Sequence, residues 1–228
     1  MSEAAAEEGS WRIDIDPDPV ACADLLVAAF AREPAVSWIC GGSARVRTRW
    51  FRATLRTHAG LDGARRTALV GAEGRLLAAA VVTPPGATPA AGSRALWVAR
   101  TGLRCGPRAL VRTLRYLDAT GGGVPPEAWT LEFVGVRPGL TGRGVGRLLL
   151  DHVLATTPAP HGLYLTTADP ANVPLYHHLG FTTLRKTPLG PLSITSMSRA
   201  PEWAGASDPQ DDTLGQVSSD PPVDLRPT

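Results

Sequence analysis

Val134-Gly135-Val136-Arg137-Pro138-Gly139-Leu140-Thr141-Gly142-Arg143-Gly144-Val145-Gly146-Arg147-Leu148-Leu149-Leu150 carries an apolar strand through a glycine-rich turn straight into an amphipathic helix. At such a junction the first helical N–H groups lack intrahelical partners and the helix dipole adds partial positive charge. The turn therefore suits an anion such as a phosphate or pyrophosphate. Glycines at 142, 144 and 146 let the main chain come close to it. Two other phosphate turns do not fit. The dinucleotide fingerprint requires glycine where Arg147 stands, and the P-loop requires Lys followed by Ser or Thr where Val145 and Gly146 stand. A glycine-rich turn with no ligand is the structural alternative.

Working outward, residues 129–136 read as a central strand. Period two puts Thr130, Glu132, Val134 and Val136 on one face and Leu131, Phe133 and Gly135 on the other. The helix after the turn continues to 155, followed by a strand at 163–168, a short helix at 173–179 and a hairpin from 181–185 and 192–198. Toward the N-terminus a strand at 11–15 turns through Asp16-Pro17-Asp18-Pro19 into a helix at 20–31, which Pro34 limits. Ser43 caps a helix reaching 57, with Arg45, Arg49, Arg52 and Arg56 facing solvent. Gly71-Ala72-Glu73-Gly74 joins apolar runs at 67–70 and 75–83 as a hairpin. Residues 84–93 form a loop, and Pro107 opens a helix to 119. Strands paired as a hairpin and then alternating with helices predict an α/β fold with a mixed sheet.

The chain has 228 residues, 43% hydrophobic and 19% charged, enough for one substantial core. No run of 18 apolar residues exists and the first nine residues are acidic, so neither a membrane span nor a signal peptide is expected and the cytoplasm is the expected location. Cys22, Cys40 and Cys105 are odd in number and widely spaced, which indicates neither disulfides nor a zinc site. Charge is uneven: residues 1–42 sum to −6, 43–118 to +11 and 119–228 to −3. The arginines of the middle are spread out and lack interleaved aromatic residues, which argues against a nucleic-acid module. They read as a solvated basic face that attracts the phosphates of a ligand. Residues 1–10 are expected to be flexible, 11–200 to form the domain, and the Pro- and Asp-rich 201–228 to be disordered.

A second segment narrows the chemistry: Asn172-Val173-Pro174-Leu175-Tyr176-His177-His178-Leu179-Gly180-Phe181. Thr141-Gly142-Arg143-Gly144-Val145-Gly146 resembles the acyl-CoA-binding turn of the GNAT N-acetyltransferases, with Thr141 departing from the usual Gln or Arg. The second segment resembles the Tyr-x-x-x-Gly-Phe element that closes their acetyl-CoA site. With Ala28-Ala29-Phe30-Ala31, Val134-Gly135-Val136 and Ser196-Met197-Ser198-Arg199, residues 11–203 are similar to the puromycin N-acetyltransferase group within that family.

The resemblance implies a mixed, mostly antiparallel twisted sheet flanked by helices. It also implies direct acetyl transfer from acetyl-CoA to the primary amine of a small molecule, without a metal. Amides of Gly142, Arg143, Gly144, Val145, Gly146 and Arg147 would hold the pyrophosphate, the backbone of Val134 and Val136 would run beside the pantetheine arm, and Asn172 would bond the cofactor. The side chains of Arg143 and Arg147 would add charge at the phosphates or stand exposed. Tyr176 would protonate the departing thiolate. Glu132 is argued from this chain and from other GNAT enzymes: a carboxylate within an apolar strand is costly to bury without a task or partner, so it is the candidate base, against a structural pairing with an arginine. Relatives often carry a Glu in the next strand where Thr166 stands in Tyr164-Leu165-Thr166-Thr167, which leaves the acceptor open. A catalytically inactive acyl-CoA-binding protein on the same fold is the second reading. Oligomeric state, monomer or homodimer, is open. His177 and His178 lack metal spacing, and His58, His152 and His161 read as lone surface residues.

Overall fold

The computed structural model describes residues 11–158 and 162–200. Seven strands form one sheet in the order β1-β2-β3-β4-β5-β7-β6: β1 (Arg12–Ile15), β2 (Arg65–Val70), β3 (Leu76–Thr83), β4 (Trp129–Val136), β5 (Leu163–Thr167), β6 (Thr182–Leu189) and β7 (Leu192–Arg199). Only the β4–β5 pair is parallel among the described strands. The expected mixed, mostly antiparallel α/β fold is present. Residues 1–10, 201–228 and His161 lie outside the described residues.

Among the described residues seven α-helices flank the sheet: α1 (Pro19–Ala29), α2 (Pro34–Cys40), α3 (Ala44–His58), α4 (Ala91–Cys105), α5 (Pro107–Gly121), α6 (Val145–Thr156) and α7 (Asn172–His178). Three starts follow capping chemistry. Asp18 accepts from the Ala21 N–H (2.9 Å), Glu33 from Val36 (2.6 Å) and Ser43 from Val46 (3.4 Å). Pro19, Pro34 and Pro107 each sit in the first turn, where a missing N–H costs nothing. Two helices depart from the sequence reading. α1 ends at Ala29, ahead of Pro34, and Pro34 then opens α2, a helix outside the sequence expectation. α4 begins at Ala91 without a side-chain cap, inside the segment expected to be a loop.

The core divides by face. Under α6 and α7 it is mainly aliphatic, with Leu131, Leu149, Leu150, Val153, Leu163 and Leu165. Under α1 and α3 it is aromatic: Phe30, Trp50, Phe51 and Phe133 meet edge-on at centroid distances of 5.1 to 6.1 Å. Arg45, Arg49, Arg52 and Arg56 are exposed, as expected. His58 is not a surface residue. It is 6% exposed, and burial with the Arg66 charge lowers its pKa to about 4. It closes the amphipathic α3, whose period carries it to the core side.

Candidate active site

β4 and β5 separate early. Their last paired residues are Leu131 and Leu165, whereas β4 continues to Val136 bonded to β3 alone. From Glu132 onward one edge of β4 therefore has no strand neighbour and offers its peptide groups to a ligand. The β3–β4 register shifts between Val81/Val82: Val81 lies opposite Phe133 and Val82 opposite Leu131, which leaves Glu132 as the extra, unpaired residue of a bulge. The bulge corrects the period-two reading. Leu131, Val134 and Val136 all join the core under α6, and Phe133 joins the aromatic core on the opposite face. One extra residue reverses the alternation beyond it.

The turn after β4 makes the anion seat. Gly142 (φ 82°) and Gly144 (φ 80°) have left-handed conformations with nothing within 4 Å of a built Cβ, so the space before the α6 N-terminus is open. The first intrahelical bond is Leu148 N–H to the Gly144 carbonyl (3.0 Å). The amides of Val145, Gly146 and Arg147 precede it and have no acceptor within the helix. The role of Gly146 differs from that expected, since a Cβ there would stand 2.9 Å from Val136 Cγ2; it seats α6 on β4 rather than opening the turn. Arg143 and Arg147 are exposed. The Arg143 amide bonds the Leu140 carbonyl (3.2 Å), and the Arg147 guanidinium pairs with Asp151 (3.6 Å).

α7, which follows β5, carries Asn172 and Tyr176, and Tyr176 belongs to the core under α6. Tyr176 is 8% exposed and packs edge-on against Phe181 at 5.7 Å. Burial, with the Glu33 charge, pushes its phenol up to about 12, so it holds its proton at neutral pH. Asn172 is the first residue of α7, and its amide bonds the Asp169 carbonyl (3.1 Å). His177 and His178 turn their Nδ1 atoms onto the carbonyls of Phe181 (2.9 Å) and Pro174 (2.7 Å). Among the described residues no group of His, Cys, Asp and Glu could hold a metal ion.

Glu132 is exposed rather than buried, which corrects the premise on which it was singled out. It nonetheless stands at mid-sheet, where crowding by the protein raises its carboxyl above the ordinary range and the neighbouring Thr83 hydroxyl lowers it in part. Among the described residues Glu132 forms no ion pair with an arginine.

Three side chains escaped the sequence reading. Tyr116 reaches from α5 to bond Thr166 (3.1 Å), at the position where relatives often carry Glu. Glu33, the α2 cap, shifts both Tyr116 and Tyr176, and Thr83 lies beside Glu132. The signal available was scarcity. The chain has three tyrosines, and the third, Tyr164, bonds Ser196 (3.1 Å) and the Thr120 carbonyl (3.3 Å) beneath α5.

Residues 49–181 match the profile of the Acetyltransferase (GNAT) family. No curated protein sequence matches the chain. Among solved structures it is similar to a histone acetyltransferase HPA2-related acetyltransferase from Corynebacterium glutamicum, at 23% identity and TM-score 0.63, covering 85% of this chain and 97% of that one. Arylalkylamine N-acetyltransferase 2 from Aedes aegypti gives 12% identity and TM-score 0.56 over 85% and 100%. An acetyltransferase from Thermus thermophilus gives 17% and 0.52 over 82% and 96%. At these identities the likeness is one of fold. The family match covers more than half of the chain, and together with the free edge of β4 and the glycine turn it means that this protein belongs to the GNAT acetyltransferase family, whose acyl donor is acetyl-CoA.

Proposed function

We propose that the protein transfers an acetyl group from acetyl-CoA to the primary amine of a small molecule. The observation that carries this is the opening between β4 and β5, where Glu132 is the first residue of the free edge of β4 and the glycine turn and α6 follow that edge. Amides of Gly142, Gly144, Val145, Gly146 and Arg147 hold the pyrophosphate, while the Arg143 amide bonds the Leu140 carbonyl; Arg143 is the more available side-chain cation because Asp151 pairs with Arg147. The free edge of β4 at Val134 and Val136 bonds the pantetheine arm, and Asn172 adds a contact from α7.

In the reaction the neutral amine nitrogen attacks the thioester carbonyl carbon. The N–C bond forms, the C–S bond breaks, and the electron pair of that bond leaves on sulfur. Glu132 accepts a proton from nitrogen, directly or through water, and Tyr176 donates its phenolic proton to sulfur. Solvent then takes the proton from Glu132 and restores one to Tyr176, so the products are an amide and free CoA thiol. Fixing both reactants across one cleft supplies the orientation.

The test is thiol release from acetyl-CoA over a panel of aminonucleosides, aminoglycosides and alkylamines, with acetyl-CoA binding followed by titration calorimetry. Binding together with amine-dependent thiol release is expected. Binding without release for every amine would identify an acyl-CoA-binding protein instead, and no binding at millimolar acetyl-CoA would remove the donor site.

A further inference from the structure

Single exposed apolar side chains are ordinary on a protein surface, but five of the twelve large ones among the described residues lie on two successive helices, α4 and α5. Leu96 (48% exposed) and Leu103 (87%) stand seven residues apart on α4 with the exposed Ala99 between them, so one side of that helix is apolar and bare. On α5 the core side carries Ala109, Thr113 and Thr120, and the outer side carries Val111, Leu114 and Leu117. The two outer sides adjoin, because a Cβ on Gly102 of α4 would stand 3.4 Å from Leu110 Cδ2 of α5. The rim of this apolar stripe is basic. Arg94, Arg100, Arg104, Arg108 and Arg115 belong to the same helices, and none of them forms an ion pair among the described residues. Asp118 is the single acid on the two helices.

A second copy of this chain would bring arginine against arginine, which opposes pairing of this face with itself. The complementary charge occurs in the chain. Residues 201–228 contain Glu202, Asp208, Asp211, Asp212, Asp220 and Asp224 against Arg226, a net charge of −5, and Leu214 and Val217 follow the densest acids. Position agrees with charge. Ala200 lies against Gly162, just before β5. β7 leads back from Ala200 to Ser196, which pairs with Arg185 of β6, and Arg185 donates to the Ala119 carbonyl in the last turns of α5 (3.1 Å). At about 3.4 Å per strand residue, Ala200 is roughly 20 Å from the end of α5. A coil as long as 201–228 averages about 30 Å end to end and reaches about 90 Å when extended. Each of the two helices is about 22 Å long, so the whole face is within reach.

We infer that the outer face of α4 and α5 is the docking surface for this chain's own residues 201–228. The arginines of the rim pair with Asp208, Asp211 and Asp212, and Leu214 and Val217 cover the leucine stripe. Each ion pair at a wet surface is weak. Tethering raises the local concentration of the segment to about the millimolar range, so several weak contacts together suffice.

The experiment uses the full chain with a nitroxide attached at Gly215→Cys, and with Cys105→Ser so that the remaining cysteines, Cys22 and Cys40, are buried. Paramagnetic broadening of backbone amide signals reads proximity to the nitroxide. Signals of α4 and α5 should broaden equally at all protein concentrations, while those of α6 and α7 stay sharp. Asp208→Asn, Asp211→Asn and Asp212→Asn together should reduce the broadening severalfold. Leu103→Glu with Leu114→Glu, which sets acid against acid at exposed positions, should abolish it. Should the glutamate variant not fold, the triple asparagine variant decides, since it leaves residues 11–200 untouched. Sharp signals from α4 and α5, or broadening unchanged in the triple variant, overturn the inference. Broadening that occurs only when the nitroxide and the observed amides are on different molecules also overturns it and assigns the face to a second copy. Sharp signals in a chain that sediments with phosphatidylserine vesicles overturn it in favour of an anionic lipid surface.

Discussion

On the α6 and α7 side of β4 the chain offers mainly backbone: open glycines, helical amides without partners and an unpaired strand edge over an aliphatic core. On the α3 and α5 side it offers side chains: Thr83, Tyr116, Glu132 and Thr166 above a cluster of aromatic rings. A backbone site tolerates many side chains as long as φ is satisfied and the space stays empty. A side-chain site depends on particular groups brought from distant parts of the chain. The donor half is therefore expected to answer to changes of conformation and the acceptor half to changes of chemistry.

The largest effect should come where the two halves meet. Tyr176→Phe keeps the ring on Phe181 and removes the proton, so kcat should fall about 10²-fold or more with the acetyl-CoA KM little changed. In steady-state kinetics, retained activity would take the acid role from Tyr176. Glu132→Gln acts differently. Activity that needs an ionised base is lost as pH falls through the pKa of that base, and this pKa is raised by the crowding around Glu132. The variant should be slow, with that acidic limb missing from its pH–rate profile, and a profile that keeps the limb would mean another base.

The acceptor side also hides a liability that the donor side lacks. His58 has a folded pKa lowered to about 4 from an ordinary 6.5, so the unfolded chain binds the extra proton between those values. Its stabilising contribution is complete above about pH 6.5 and disappears as pH falls toward 4, a difference of up to about 3 kcal/mol. Thermal unfolding at pH 7 and pH 4.5 should show the wild type losing more than His58→Leu. Equal losses would mean that His58 is charged or solvated in the folded protein.

The smallest effect tests the donor half. Gly144→Asp puts a side chain at φ 80° and a negative charge beside the phosphate seat, and should raise the acetyl-CoA KM about tenfold. Gly144→Ala, which adds the backbone strain without the charge, should raise it less. If both leave KM unchanged, the turn is structural and the backbone description of this half is wrong.

What the sequence determined by itself was local. β4 was read with its observed ends, Ser43 was read as the cap of α3, and the glycine turn was located because φ at 142 and 144 and the bare start of α6 follow from residues within a few positions. The tertiary structure decided what depends on one extra residue or on distant partners. The bulge at Glu132 brought Val134 and Val136 to the face of Leu131, Pro34 opened a further helix after limiting the first, and packing buried His58. Tyr116 meets Thr166 across 50 positions of chain, and Glu33 and Thr83 reach the same region from α2 and β3. Caps and turns are set by hydrogen bonds and sterics between near neighbours, which a sequence displays directly. A recess is set by how helices cross a sheet, and strand register and packing determine that only once the whole core has formed.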